Sequence, residues 1–404
     1  MKKILACIFA VSVISTAAFT KNFFTQRFFE IRTGTELGAS NNLFAANDIF
    51  QKEFVIDLPQ LAQDCPDSGF NIRAGVTPSV ALNIRVKDFH LGFSSGVELY
   101  ESMSVGKDLF DFLGYGNSVG QTMNFTIDND ADLFAFSQID LGFRVGKLRV
   151  KVQPAVFLPI LSMRGGGAKA TAVNGTDGSM NISVDMDLDV YSIAGIKKTG
   201  DGNNFSFDPE ELQAALTKGY GFDLGAGLSW DLTKSFVIGA DCRIPIIPGH
   251  LSYKANIQGG FDYKVKIDDF QNAQKTERKT TVTNTAEELA VHRPLKAHVY
   301  LDKNLLGTLF NAHAAAGLGI RRPFSTDAVF YPEYYLGFGI NLIDLFKVGV
   351  STEYRDQVFI HQLGTTLNVR LIQIDLGVSA QSSDFMKSMQ VAGVGGYFYV
   401  SVGF

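Results

Sequence analysis

Two-residue alternation of apolar and polar side chains recurs along nearly the whole chain, and it constrains the fold more than any single motif. In "SVALNIRVKDFHLGFSSGVELY", Val80, Leu82, Ile84 and Val86 share one face, a turn falls at Lys87 and Asp88, and Leu91, Phe93, Val97 and Leu99 follow. Asn83, Arg85, His90 and Glu98 occupy the opposite faces. Successive side chains of a strand point to opposite sides, so the pattern predicts a hairpin with one apolar and one polar surface. "AFSQIDLGFRVGKLRVKVQPAVF" repeats the plan, with Ile139, Leu141, Phe143 and Val145 on one face and Gln138, Asp140, Arg144, Arg149, Lys151 and Gln153 on the other. Similar runs continue from Gly219 onward. The last, "GGYFYVSVGF", sets Phe398, Val400, Val402 and Phe404 on one face.

A soluble sandwich also alternates, but three features direct these strands into a membrane. They run for about ten residues, the length that crosses hydrocarbon at a tilt. Their polar faces carry charges of both signs, as expected of a lumen. Connection lengths also alternate: "VKDFH", "RVGKLR", "IPIIPGH", "NLIDLFK" and "NVRLIQ" read as short turns on one side. Glu101 to Ala131, Arg164 to Gly178 and Asp268 to Thr285 read as long loops on the other. The expected fold is all-β, a transmembrane antiparallel β-barrel of roughly fourteen to sixteen strands in the bacterial outer membrane. A barrel leaves no unpaired edge in lipid, so its final strand must stay a strand to the end. An ending on Phe404 resembles the C-terminal signal read by bacterial barrel-assembly machinery, and that resemblance implies the machinery as a partner.

The opening "MKKILACIFAVSVISTAAFT" has Lys2 and Lys3 before a short apolar run and then small residues, so residues 1–20 read as a secretory signal peptide and 21–404 as the barrel. No later apolar run reaches 18 residues, which argues against membrane-spanning helices. With a net charge of −5 and scattered Lys and Arg, nucleic acid is a poor partner. The mature chain keeps Cys65 and Cys242, and a bridge between them is not expected, because Cys242 shares a strand face with Ile238, Ala240 and Ile244. The first strand is "RFFEIRTGTEL", with Phe29, Ile31 and Leu37 outward. Residues 40–70 lack alternation and read as an outer loop or a hatch folded into the lumen. "FDPEELQAALTKG" reads as a short helix, with Asp208 as N-cap and Pro209 at the first position. Counting connections places it on the periplasmic side.

No enzyme signature stands out. "GFSSG" matches a nucleophile elbow around Ser94, but that chemistry needs a sharp strand-to-helix turn and this segment sits mid-strand. Asp185, Asp187 and Asp189 line one strand face; a solvated stripe is the favoured reading over calcium ligands. The histidines lack metal-protease spacing, and neither a metal nor a cofactor is expected.

The aromatic bias is more informative. Barrel girdles favour Tyr and Trp, yet the chain has 34 Phe against 13 Tyr and one Trp. Phe44, Phe50 and Phe54 fall in the non-alternating segment, and Phe110 and Phe112 in the loop after the third strand, where lipid contact is not required. Either these residues meet hydrophobic molecules or they pack loops against the wall. With its length, strand number, non-alternating N-terminal segment and the stretch "GYGFDLGAGLSWDLTKSFVIGADCRIPIIP", the chain resembles the FadL-like outer-membrane transporters of long-chain fatty acids and other hydrophobic compounds. It lacks the Asn-Pro-Ala element of that family's hatch, and a candidate strand precedes the hatch-like segment.

The resemblance implies passive, gated uptake of hydrophobic small molecules. Phe44, Phe50, Phe54, Phe110 and Phe112 are then candidate ligand contacts, and Arg32 and Arg85 are candidate partners for a carboxylate headgroup. The alternative is a narrow polar porin or a surface-interaction barrel.

Overall fold

The computed structural model describes residues 27–45, 57–199, 204–266 and 269–404. The chain opens with strand β1 (Phe29–Asn41) and helix α1 (Leu58–Asp64), followed by β2 (Phe70–Val86), β3 (Phe89–Val105), helix α2 (Lys107–Tyr115), β4 (Thr122–Val145) and β5 (Leu148–Asn174). Then come β6 (Ser179–Ser192), the short β7 (Ile196–Thr199) and β8 (Asn204–Phe207), helix α3 (Pro209–Ala215), β9 (Gly221–Thr233), β10 (Phe236–Ile247), β11 (Gly249–Lys266) and β12 (Asp269–Val291). The last third contains β13 (Leu295–Leu305), β14 (Phe310–Arg321), β15 (Val329–Leu342), β16 (Phe346–Arg355), β17 (Val358–Val369), β18 (Ile372–Ser382), helix α4 (Phe385–Met389) and β19 (Val394–Gly403).

Fourteen of these strands close a ring by antiparallel pairing, in the order β1, β2, β3, β4, β5, β9, β10, β13 to β19 and back to β1. The alternation in the sequence is the alternation of this wall. Leu37, Val80, Phe93, Ile139, Leu228, Val299, Leu336, Val378 and Phe398 stand exposed on the outside, right round the ring. A continuous apolar belt of that kind needs hydrocarbon rather than water against it. The partner positions Asn83, Arg85, Gln138, Asp140, Arg149 and Lys151 line the interior. Reversals at Lys87–Asp88, Gly146–Lys147, Lys234–Ser235, Leu306–Leu309, Ile343–Leu345 and Arg370–Leu371 all fall at one end, the turn end, where Phe29 and Phe404 also meet. The remaining connections fall at the opposite, outer end.

Beyond the outer rim the wall continues on one side. Strand β5 pairs through Leu148–Phe157 with β9 and through Leu161–Asn174 with β6. Strand β6 pairs with β11, and β11 with β12. Three long loops expected from the sequence are therefore largely strand. Residues 164–178 extend β5 into a tight hairpin with β6, 269–285 belong to β12, and the 101–131 loop shrinks to 106–121. Polar, Gly- and Thr-rich composition disguised these segments, which lie beyond the closed ring and bury only a few apolar side chains such as Phe125 and Ala172.

Two placements are corrected. "IPIIPGH" is no reversal: β10 and β11 run on in the same direction through a kink at Pro248. Helix α3 forms as expected, with the Asp208 side chain accepting from the Glu210 and Glu211 amides. However, it lies toward the outer end, not the periplasmic end. Strand β6 stops at Ser192, opposite Leu161, and β9 then descends from Gly221, opposite Phe157, so the segment between them never reaches the turn end.

The signal peptide and Phe50 and Phe54 lie outside the described residues. The described parts of the hatch-like segment sit in an outer cap, where Leu43, Ala62 and Cys65 pack with Val105 and Phe110. Cys65 and Cys242 are both free.

Candidate functional site

The interior of the ring encloses a cavity of about 740 Å³ that runs from Lys87 and Asp88 at the turn end to Arg73 and Gln357 near the outer end. Strand alternation turns every second residue of the wall toward the interior, and many of these border the cavity. Among the described residues its lining carries thirteen Lys and Arg against eleven Asp and Glu, so opposite charges can pair almost one to one.

Several pairs reach across the lumen. Glu98 on β3 receives Arg243 of β10 at 3.0 Å, four strands away round the ring. Glu36 on β1 binds Arg355 of β16, again four strands away. Asp132 on β4 takes Arg321 of β14 at 3.1 Å, five strands away, and Arg322 beside it at 3.0 Å. Lys296 joins Glu333 and Asp356, each at 2.9 Å, while His298 bridges Asp241 and Glu333. Such pairs take charges out of water at a cost that only multiple hydrogen bonds offset. The forked Arg contacts supply them. The result is a lumen braced by ion pairs.

At the outer end the chemistry changes. Phe134, Phe136 and Phe157 on the inner face of β4 and β5 pack with Ile193, Ala194, Leu251 and Val291 under the segment that carries α3. A second cluster joins Phe44, Phe70 and Phe110 edge to face, with centroids 5.6 and 5.9 Å apart. A third packs Phe112 on Phe125, 5.5 Å away, beside Ala172. The short helix α2 divides its two phenylalanines between these last two clusters.

The candidate residues thus separate into two groups. Arg32 and Arg85 line the lumen cavity: Arg32 pairs with Asp375 at 3.3 Å and stacks 4.4 Å over Tyr399, while Arg85 is exposed within the turn-end mouth. Phe44, Phe110 and Phe112 lie in the outer caps and do not border that cavity. Sequence reasoning did not single out Phe134, Phe136, Phe157 or Arg293, although the inward phase of β4 and β5 carried the signal for the three phenylalanines. Ser94 lies mid-strand in β3 with its hydroxyl buried, away from any strand-to-helix turn. Asp185 is held by Arg278, Asp187 by Asn256, and Asp189 by Asn256 and Lys254. Among the described residues no cluster of metal-ligating side chains is present.

No family model and no curated protein matches the sequence. Solved structures do. A mutant of the monoaromatic hydrocarbon channel TodX aligns over 98% of this chain and 96% of its own, with 10% identity and a TM-score of 0.50. The P. putida toluene transporter TodX aligns over 98% and 93% with 9% identity and a TM-score of 0.45. A Pseudomonas aeruginosa FadL homologue aligns over 95% and 92% with 11% identity and a TM-score of 0.44. The chain is a closed fourteen-stranded barrel that shares its fold with the TodX channel.

Proposed function

We propose that the protein is a passive, gated channel of the bacterial outer membrane for hydrophobic compounds. The observation that carries this reading is the combination of a braced lumen with apolar aromatic clusters at the outer end of a TodX-like barrel. A water-filled general pore gains nothing from buried phenylalanines at its mouth, whereas a hydrophobic solute gains about 25 cal/mol for each Å² of apolar surface it removes from water there. Phe44, Phe110 and Phe112 are the proposed first contacts, and long-chain fatty acids are the narrower proposal for the cargo. For such an acid, Arg85 is the better placed carboxylate partner, because Arg32 is already engaged by Asp375. Assembly through the strand ending at Phe404 belongs to the same proposal.

A second reading, a narrow polar pore, draws on the charged lining of the cavity. One experiment separates them: titrate the refolded, heat-modifiable barrel with a fluorescent long-chain fatty acid, compete with unlabelled acid and with toluene, and record conductance in a planar bilayer. Saturable, competable binding with little steady current supports the hydrophobic channel. Steady current without binding supports the polar pore.

A further inference from the structure

The barrel wall loosens beside one ion cluster. Between β2 and β3 the pairing steps from Val76 with Leu99 to Ser79 with Gly96, leaving Thr77 and Pro78 unpaired on that side, opposite Glu98 and Val97 respectively. Between the continuous strands β10–β11 and β12–β13, pairing ends at Arg243 with Lys296 and resumes at Gly249 with Val291. Ile244 to Pro248 therefore have no ladder partner on that side, nor have His292 to Leu295. Pro245, Pro248 and Pro294 fall in this opening and contribute no backbone donors.

Arg293 projects inward from the middle of the link between β12 and β13. It is 1% exposed, and its guanidinium makes three bonds: to the two carboxylate oxygens of Glu98 at 2.8 and 3.2 Å, and to Asp223 at 2.7 Å. Its underside lies 4.3 Å over the Phe136 ring. Arg243 completes the group, donating to Glu98 at 3.0 Å and to the Pro294 carbonyl at 3.0 Å. Two cations thus balance two carboxylates. On one side of the group lies the lumen cavity, which all four residues border; on the other lies the cluster of Phe134, Phe136, Phe157, Leu251 and Val291.

We infer that Arg293 is a latch between the outer apolar cluster and the lumen. A segment without ladder bonds is positioned by its side chains; here the Arg293 fork supplies the charged attachment, beside the Arg243 bond to the Pro294 carbonyl and the packing of His292 on Phe324. While the fork holds Glu98 and Asp223, the apolar cluster is closed off from the cavity. When the His292–Pro294 link swings away, the two spaces join and a solute passes from aromatic rings to lumen. Glu98 is the fixed half of the latch and also lies at the loosened β2–β3 ladder, so release there relaxes both openings together. The inference rests on the reading that the lumen is the solute path.

The test is Glu98→Gln combined with Arg293→Gln in the full refolded chain, which removes one charge of each sign and leaves Arg243 facing Asp223. The double variant is expected to keep its heat-modifiable mobility while its mean conductance in planar bilayers rises severalfold and fluorescent fatty acid enters barrel-containing liposomes faster. A folded double variant with unchanged conductance and unchanged entry overturns the latch and makes the cluster a static strut. If the double variant does not fold, Arg293→Lys keeps the charge and loses the fork: more frequent current transitions support the latch, and a record identical to the wild type overturns it. Fatty-acid binding by the wild type in the same preparation tests the channel reading separately, since binding can be present while the latch fails.

Discussion

Phe29 and Phe404 hold one another across the seam of the barrel. The Phe29 amide donates to the Phe404 carbonyl at 3.0 Å, the Phe404 amide donates to the Phe29 carbonyl at 3.0 Å, and the two rings lie 5.9 Å apart. Phe404 thus forms the end rung of the ladder that closes β1 on β19. Deleting Phe404 removes both backbone bonds, each worth about 0.5–1.5 kcal/mol net, whereas Phe404→Ala keeps them and removes only the ring. Refolding yield, read as the fraction with heat-modifiable mobility, is expected to fall further for the deletion than for the alanine variant. Equal losses would assign the effect to the ring.

Tyrosine rings lie against glycines on the inner face of the wall, Tyr300 at Gly239, Tyr331 at Gly319 and Tyr397 at Gly377. A Cβ added at Gly377 would come within 2.1 to 2.7 Å of three atoms of the Tyr397 ring and meet no backbone among its nearest contacts. Gly377→Ala therefore forces Tyr397 off the wall, an overpacking expected to cost about 1–3 kcal/mol. Unfolding by urea in detergent micelles should show that loss, and Tyr397→Ala should remove most of the penalty of adding the methyl group. If the cost of Gly377→Ala is the same in both backgrounds, the ring is not its source.

Helix α3 rests on one carboxylate. Asp208 accepts from the amides of Glu210 and Glu211 at 3.0 and 3.3 Å and also meets Lys197. Loss of such a cap costs about 0.5–2 kcal/mol. Asp208→Ala is expected to speed amide exchange at Glu210 and Glu211 and proteolysis between 209 and 218, with heat-modifiable mobility unchanged. Unaltered exchange at those two amides would count against the cap.

The alternation that made the barrel legible is a local signal, because each wall residue must face either lipid or lumen. Val80 and Arg85 announce their sides from sequence alone, and the structure places both accordingly. Beyond the closed ring that requirement lapses. Lys169 and Thr281 sit in strands of the outer extension whose composition reads as loop. The course of the chain through "IPIIPGH" was hidden for another reason, since Pro248 marks a kink and a reversal equally well until the partners of β10 and β11 are known. The latch was less legible still. Glu98, Asp223, Arg243 and Arg293 are far apart in the chain, and only the ring order brings them together.

The turn-end mouth gives the last prediction, because its charges do not cancel on one wall. Arg144 and Arg149 share the single carboxylate of Asp231, at 2.9 and 2.8 Å, and Lys151 reaches Asp140 at 3.5 Å. Arg85, Lys87 and Asp88 border the same mouth, so five cations face three carboxylates. On the opposite side Arg27 pairs with Glu30 and Arg32 with Asp375, one to one. A low-dielectric wall focuses the surplus field into the opening and raises the local concentration of anions. Reversal potentials across a potassium chloride gradient should therefore show chloride preferred over potassium at low salt. The preference should shrink once the Debye length falls to about 3 Å near 1 M. Arg144→Gln with Arg149→Gln cancels the surplus, leaving three cations against three carboxylates, and leaves Asp231 without its arginine partners, so the preference should move toward potassium. Adding Asp231→Asn should bring it part of the way back, because the same carboxylate that neutralises the arginines now supplies the repulsion. An ion preference indifferent to all three substitutions would mean that current bypasses this wall, along the side lined by β13 to β19.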